Sequence, residues 1–134
     1  MVLKKIELPL AHQEDVVAVR QTTRSYAVEI GLTIIDQTKI VTAASELARN
    51  TVVHGGGGKA TLEMIKEASR QGLRLTFEDS GPGISDLERA MQDGYTSAGG
   101  LGLGLGGSKR LCSEFSIDSK VGVGTRVTVA RWKV

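Results

Sequence analysis

The chain has 134 residues, the length of one compact domain with a hydrophobic core. Its 17 Lys and Arg stand against 15 Asp and Glu, and a net charge of +2 is too small to indicate nucleic acid or a membrane surface as a partner. Few aromatic residues, a single cysteine and no membrane-length apolar run argue against a base-stacking platform, an internal disulfide and a transmembrane helix. We therefore expect a soluble, cytoplasmic protein.

The first half of the chain predicts one strand and two helices. Apolar residues alternate from Ile6 to Leu10, which is typical of a strand, and Pro9 within it favours a sheet edge. A helical period then extends from about Glu14 to Ile30 and ends at Gly31. Asp36 is the predicted N-cap of a second helix. Its apolar stripe comprises Ile40, Ala44, Leu47, Ala48 and Thr51.

The second half predicts four strands and two short helices. A glycine run at Gly55–Gly58 ends the second helix and serves as a connector. The strands are expected near Lys59–Lys66 and Leu73–Asp79, with a turn at Ser69–Gly72, and near Phe115–Ser119 and Thr125–Trp132. The helices are expected at Ser85–Gln92, with Ser85 as cap and Glu88 completing a capping box, and near Gly107–Glu114.

This order of elements indicates an α+β fold. Adjacent strands with short connections favour antiparallel pairing, and helices that occur in pairs favour a single covered face. We expect a two-layer α/β sandwich whose sheet is mixed but mostly antiparallel, in one domain over residues 1–134.

A carboxylate ends one of the predicted strands. Leu73, Leu75 and Phe77 share a face with Asp79, and an unpaired buried charge is costly, so Asp79 needs a hydrogen-bond donor. The sequence turns sharply at 80–83, which places Asp79 at the lip of a pocket. The exocyclic amine of a purine is a suitable donor; alternatively, Asp79 only caps the turn.

A second glycine-rich segment spans Gly99–Gly107. Residues 102–107 spell G-x-G-x-x-G, but no apolar strand precedes them, which argues against a dinucleotide-binding fingerprint, and Gly107-Ser108-Lys109 has the wrong order for a Walker loop. Glycines nevertheless let a backbone approach phosphates, and a following helix adds unpaired N–H donors. The alternative is a mobile lid that binds no ligand.

Glu46 and Asn50 lie one turn apart at the border of the apolar stripe. The amide oxygen of Asn50 suits Mg²⁺, and Glu46 could accept a proton from an attacking hydroxyl. Such a pair on a helix is more commonly solvated surface. Thr125 shares a strand face with Val127 and Val129, so its hydroxyl could help to bind a base, although threonine is common in strands.

These motifs together resemble the GHKL superfamily of ATPases and kinases, which includes gyrase, Hsp90, histidine kinases and MutL. The resemblance rests on Glu46-x-x-x-Asn50, Asp79-x-Gly81-x-Gly83, the Gly100–Gly107 loop and Gly124-Thr125, in that order. The box Glu46-Leu-Ala-Arg-Asn50 and the short lid sequence Asp93–Gly102 resemble most the serine/threonine switch kinases of the stressosome, the RsbT type, and slightly less the related anti-sigma-factor kinases.

The resemblance implies a Bergerat-type pocket that holds ATP and Mg²⁺. In it Asp79 binds the adenine amine, Thr125 assists through water, Asn50 ligates Mg²⁺ and Glu46 is the general base. The further nucleotide-binding residues that it implies are Gly81, Gly83, Gly100, Leu101, Gly102, Leu103, Gly104, Leu105 and Gly106.

The resemblance also implies a function in stress signalling by partner switching. The kinase would phosphorylate a STAS-domain antagonist, leave the stressosome scaffold proteins and activate a downstream effector such as a PP2C-type phosphatase. The alternatives are an anti-sigma factor that sequesters a sigma subunit and phosphorylates its anti-anti-sigma partner, and a nucleotide-dependent binding switch without turnover. Arg20 and Arg24 lie on a polar side of the first helix, which is either a partner surface or, more commonly, a solvated face.

Overall fold

The computed structural model describes residues 1–92 and 104–133. Their elements are, in chain order, β1 (Val2–Leu10), α1 (Gln13–Ile30), α2 (Ile34–Val53), β2 (Gly58–Glu67), β3 (Arg70–Asp79), α3 (Leu87–Ala90), α4 (Gly104–Arg110), β4 (Glu114–Lys120) and β5 (Gly124–Trp132). The strands form one sheet in the order β1-β2-β3-β5-β4. β1 therefore lies at an edge, as Pro9 predicts.

The two long helices cover one face of the sheet and form the core with it. The buried side chains of α2 include Ile40, Ala44, Leu47, Ala48 and Thr51, so the predicted stripe is confirmed. They pack against the inward-facing row of β3, in which Leu73, Leu75 and Phe77 are buried. The intervening residues of that strand face away, where Arg74 pairs with Glu63 at 2.9 Å.

Each described strand pairing is antiparallel. We expected a mixed, mostly antiparallel sheet, and no parallel pair occurs within residues 1–92 and 104–133. The two-layer arrangement of the α+β prediction is confirmed.

Two predicted helix caps are wrong. α2 is capped by Thr33, whose hydroxyl accepts a hydrogen bond from the Asp36 backbone N–H at 3.1 Å, so Asp36 lies inside the first turn. α3 is capped by Asp86, whose carboxylate accepts from the Arg89 N–H at 3.0 Å, and Ser85 precedes this cap. In both places two cap-forming residue types lie close together, and their order in the sequence does not decide between them.

The β2–β3 turn lies earlier than predicted. It occupies residues 68–69 instead of Ser69–Gly72, and Ala68 has a positive φ of 53°. Gly72 instead belongs to β3, where a Cβ would stand 2.7 Å from Cε3 of Trp132. The glycine at this position therefore makes room for an aromatic ring across the strand pair and does not form the turn.

The helix after the second glycine segment also begins earlier than predicted, at Gly104 instead of Gly107, and ends at Arg110. A Cβ on Gly106 would lie 2.2 Å from the Met91 carbonyl oxygen, so this helical glycine permits close packing against the end of α3. None of the helices in the described part of the chain is long and apolar enough to cross a membrane.

Candidate functional site

A cavity of about 460 Å³ opens between α2 and the ends of β3 and β5, and the segment around α3 and the start of α4 complete its wall. Buried apolar side chains form its inner surface, among them Leu47, Phe77 and Val127. The remaining lining residues are a mixture of polar, charged and further apolar residues. This combination of an apolar floor with a few polar groups is typical of small-molecule sites.

The Asp79 carboxylate lies in this cavity at the end of β3. Its Oδ1 accepts a hydrogen bond from the Gly81 N–H at 2.9 Å. Asp79 therefore does cap the following turn, as in the alternative interpretation. A carboxylate has two oxygens with several acceptor sites, so this bond leaves Oδ2 available to a ligand amine.

Glu46 and Asn50 line the same cavity from one face of α2, and both are half-buried. Within the described residues, neither side chain takes part in a hydrogen bond or an ion pair. The helical spacing that predicted their location at the border of the stripe thus brings an acid and an amide together with Asp79.

Thr125 faces Asp79 across the β3–β5 pair and lines the cavity. Its hydroxyl lies 2.8 Å from the Ser119 hydroxyl, which also accepts a hydrogen bond from the Ile84 N–H at 2.8 Å. Ser119 was missed by the sequence analysis because its contact with Thr125 depends on the β4–β5 register. It fixes the hydroxyl of Thr125 and ties the loop after β3 to the sheet.

Only some of the glycines that were predicted to bind the nucleotide line the cavity. Gly83 lines the cavity with φ at +75°, whereas Gly81 is not among the lining residues and packs behind Asp79, where a Cβ would lie 2.6 Å from the Gly55 carbonyl oxygen. Gly104 and Leu105 line the cavity, and Gly106 faces Met91 instead. The predicted residues Gly100, Leu101, Gly102 and Leu103 lie outside the described part of the chain.

Further lining residues were missed by the sequence analysis. They include Arg49, Val53, His54, Ile84, Asp86 and Arg89. His54 follows Asn50 by one helical turn, so the helix period was a usable signal for it. Asp86 and Arg89 come from α3, whose position relative to the cavity no local pattern indicated.

The cavity thus combines carboxylates with cationic side chains. Glu46, Asp79 and Asp86 supply negative charge, and Arg49 and Arg89 supply positive charge. A ligand with an amine at one end and phosphates at the other suits such a lining. In residues 1–92 and 104–133 no group of three or more His, Cys, Asp or Glu side chains is arranged to hold a metal ion.

Comparison with known proteins gives three concordant similarities. Residues 35–134 match the family described as histidine kinase-, DNA gyrase B-, and HSP90-like ATPase. The chain is 45% identical over 118 residues to the serine/threonine-protein kinase RsbT of Bacillus subtilis, which covers 88% of this chain and 89% of that protein. It is 31% identical over 117 residues to an anti-sigma F factor of Shouchella clausii, covering 84% and 80% respectively.

A solved structure of similar shape comprises the RsbU and RsbW domains of a Mycobacterium tuberculosis protein. Its TM-score is 0.63 at 21% identity, and the match covers 96% of this chain and 32% of that one. At this identity the likeness concerns the fold, and it agrees with the α+β architecture described above.

Proposed function

This chain belongs to the histidine kinase-, DNA gyrase B- and HSP90-like ATPase family, and on that premise we propose that it is a protein serine/threonine kinase of a partner-switching pathway. It binds ATP and transfers the γ-phosphoryl group to a hydroxyl of a partner protein. The relative that is 45% identical carries the name of a serine/threonine-protein kinase, which supports this activity.

The observation that carries the proposal is that Glu46, Asn50 and Asp79 line a single cavity. They come from two different elements, and the turn and strand register beside Asp79 add Gly83 and Thr125. This arrangement suits ATP, with a carboxylate for the base at one end and an acid and an amide for the transfer chemistry at the other.

In this proposal the base end of the site is built on Asp79. Its Oδ2 accepts a hydrogen bond from the exocyclic amine of adenine, while Oδ1 remains bonded to Gly81. The Thr125 hydroxyl, held by Ser119, assists through a water molecule. The fit is supported by the apolar surface of Phe77 and Val127 in the same cavity, against which a flat base can pack.

The phosphate end is assigned to the segment Gly100–Gly106 and to α2. The backbone N–H groups of the glycine segment bind the phosphates, and of its described residues Gly104 and Leu105 line the cavity. A magnesium ion, when bound, neutralises phosphate charge, and it takes most of its ligands from phosphates and water. The amide oxygen of Asn50 is the protein ligand that we assign to it.

Glu46 is the general base of the proposed transfer. It accepts the proton of the attacking serine or threonine hydroxyl, whose oxygen forms the new bond to phosphorus as the bond to ADP breaks. Glu46 lies one turn before Asn50 on the same face of α2, so the acceptor hydroxyl and the γ-phosphate can meet between them.

The partner that we propose as substrate is a STAS-domain antagonist, with stressosome scaffold proteins upstream and a PP2C-type phosphatase as effector. Similarity to the RsbT kinase and to anti-sigma F factors supports partner switching.

Phosphate transfer from radiolabelled ATP to a purified STAS-domain protein from the same genome tests the proposal. We expect Glu46→Gln to lower the transfer rate by about 10²- to 10⁴-fold, the usual contribution of a general base, while ATP binding persists. Glu29→Gln is the matched control, since this glutamate lies on the surface of α1 and pairs with Lys4.

Two outcomes would contradict the proposal. If no STAS-domain partner is labelled, and Asn50→Ala binds Mg-ATP as well as the wild type does, the chain is not a kinase of this type. If Glu46→Gln retains full transfer, Glu46 is not the base.

A second candidate function is anti-sigma activity, which the similarity to anti-sigma F factors favours. In that case the chain sequesters a sigma subunit and phosphorylates its anti-anti-sigma partner. Co-purification with a sigma subunit in the presence of ATP would support this function. Co-purification with STAS-domain and phosphatase partners alone would support the first.

A further inference from the structure

The run Gly55–Gly58 connects α2 to β2 beside the cavity, and its glycines are required for different reasons. Gly56 and Gly57 have φ of +72° and +104°, where other residues are strained. Gly58 pairs with Asp79 in the sheet, and a Cβ there would lie 1.8 Å from the Glu78 carbonyl oxygen. Gly55 has no such φ, so its backbone conformation does not explain the glycine.

Space explains Gly55. A Cβ at this position would stand 2.4 Å from Cγ of Asp79, 2.5 Å from Oδ2 and 2.6 Å from Cβ. These distances are far below van der Waals contact. Oδ2 is the oxygen that the hydrogen bond from Gly81 does not use. The absence of a side chain at Gly55 therefore leaves room for the carboxylate oxygen that the Gly81 hydrogen bond does not use.

Gly55 is also fixed to the helix that carries Asn50. Its N–H donates to the Asn50 carbonyl oxygen at 3.1 Å, and its own carbonyl oxygen packs against Gly81, where a Cβ would lie 2.6 Å away. The backbone of Gly55 thus lies between the end of α2 and the Asp79–Gly81 turn. It sets the distance between the residue assigned to the metal and the residue assigned to the base.

We infer that Gly55 is a positioning residue for base recognition: its lack of a side chain lets the Asp79 carboxylate adopt the orientation in which Oδ2 accepts from the amine of adenine. The inference rests on the proposed function, because it presupposes that Asp79 binds the base. The Gly55–Gly58 run was predicted to be only a connector, whereas this inference gives its first residue a role in recognition of the base.

Rotation of the carboxylate cannot remove the conflict in a Gly55→Ala variant. The Cβ of Asp79 is itself within 2.6 Å of the added methyl carbon, and its position is set by pairing of Asp79 with Gly58 on one side and Thr125 on the other. The carboxylate must therefore move together with the strand end, or α2 must move away from it. Both movements carry Oδ2 away from its place at the base.

Binding of ATP and of purine riboside triphosphate, which lacks the 6-amino group, tests the inference. Hydrogen bonds to charged groups contribute about 1.5–3 kcal/mol, so the wild type should prefer ATP by roughly 10- to 150-fold. Gly55→Ala should reduce this preference to less than about threefold. A variant that merely loosened the site would weaken both nucleotides and leave their ratio unchanged.

Gly56→Asn is the matched control. Gly56 belongs to the same run, but a Cβ there meets nothing within 4 Å, and asparagine tolerates the left-handed backbone. It should retain the wild-type preference for ATP. A wild-type preference that persists in Gly55→Ala overturns the inference alone, whereas a wild type without any preference overturns the base role of Asp79 and the inference with it.

A double variant decides the matter if Gly55→Ala does not fold. Asp79→Gly removes the three atoms that lie nearest to the added methyl carbon. We expect a cooperative thermal transition to return in Gly55→Ala/Asp79→Gly. Where Asp79→Gly alone retains a cooperative transition, its continued absence in the double variant would show that the methyl group disturbs something other than Asp79, and would contradict the inference.

Discussion

At the scale of the residue, Asp79 caps the turn after β3, and in the proposed function it also accepts a hydrogen bond from the ligand. One oxygen holds the turn through Gly81, and this bond orients the carboxylate before any ligand is present. Such preorganisation lowers the entropic cost of binding, because the acceptor need not be immobilised by the ligand. A turn cap and a ligand acceptor are thus compatible roles, since they use different oxygens of the same group.

The environment of Cys112 lowers the reactivity of its side chain, whereas that of Asp79 prepares its carboxylate for a ligand. The residue follows α4, and burial raises the pKa of its thiol from 9.0 to about 11, against a smaller lowering by the charge of Arg131. Thiolate is the reactive form. At pH 8 the two pKa values correspond to thiolate fractions that differ by about 100-fold.

We therefore predict that iodoacetamide alkylates the native protein at pH 8 roughly 100-fold more slowly than the urea-unfolded chain, measured by mass spectrometry. Cys112 is the single cysteine, so the signal has one source. Because the pKa is raised in the folded state, the thiol favours folding below pH 9 and that contribution is lost as the pH rises toward 11. Equal alkylation rates in both states would contradict the burial of this thiol.

At the scale of the element, periodic patterns predicted α1, the stripe of α2 and the strands because each depends on residues close in sequence. The ends of elements were less predictable. Thr33 and Asp36 are both suitable caps, but Thr33 caps the helix, whereas the Asp36 carboxylate lies 2.7 Å from the guanidinium of Arg131. This partner is 95 residues away, so no local rule contains it.

The residues of the candidate site also divide into those that local sequence patterns predicted and those that depend on contacts between elements. Glu46, Asn50 and Asp79 were predictable, because helix and strand periods determine the face on which each side chain lies. Gly81 and Gly106 were predicted to line the cavity, but they pack against Gly55 and Met91 outside its lining. Arg89, which lines the cavity, and Ser119, which contacts Thr125, were not predicted. Their positions depend on how α3, α4 and β4 pack against the remaining elements, which no pattern within a single element specifies.

The pair of Asp36 and Arg131 links the first turn of α2 to β5, and each side chain is 17% exposed. We predict that Asp36→Ala lowers the free energy of unfolding by about 2 kcal/mol, because it leaves a largely buried guanidinium without its counter-charge. Urea denaturation measures the change. Glu29→Ala is the control, since Glu29 forms a surface pair with Lys4 and should cost less than about 0.5 kcal/mol. Equal effects of the two variants would contradict a stabilising link between α2 and β5.

At the scale of the whole molecule, the cavity is a junction between layers. α2 supplies the acid and the amide, the sheet supplies Asp79 and Thr125, and α3 and α4 complete the wall. A ligand that contacts all of them binds the folded chain and not the unfolded one, so its binding free energy adds to the stability of the fold. The contribution of an individual residue to ligand binding is therefore measurable from the change that its substitution causes in the ligand-induced shift of the unfolding temperature.

We predict that Mg-ATP at 100 times its dissociation constant stabilises the wild type by about 2.7 kcal/mol, or roughly 8–10 °C in the unfolding temperature of a chain of this size. ATP with EDTA should produce a much smaller shift. In Asn50→Ala the shift should be equally small with and without magnesium, because the amide that we assign as metal ligand is gone, while Asp79 still binds the base. Gln21→Ala on the exposed face of α1 should behave as the wild type.

If Asn50→Ala retains the magnesium-dependent part of the shift, the metal is held by other groups, and the division of the cavity into a base end at Asp79 and a metal end at Asn50 is wrong.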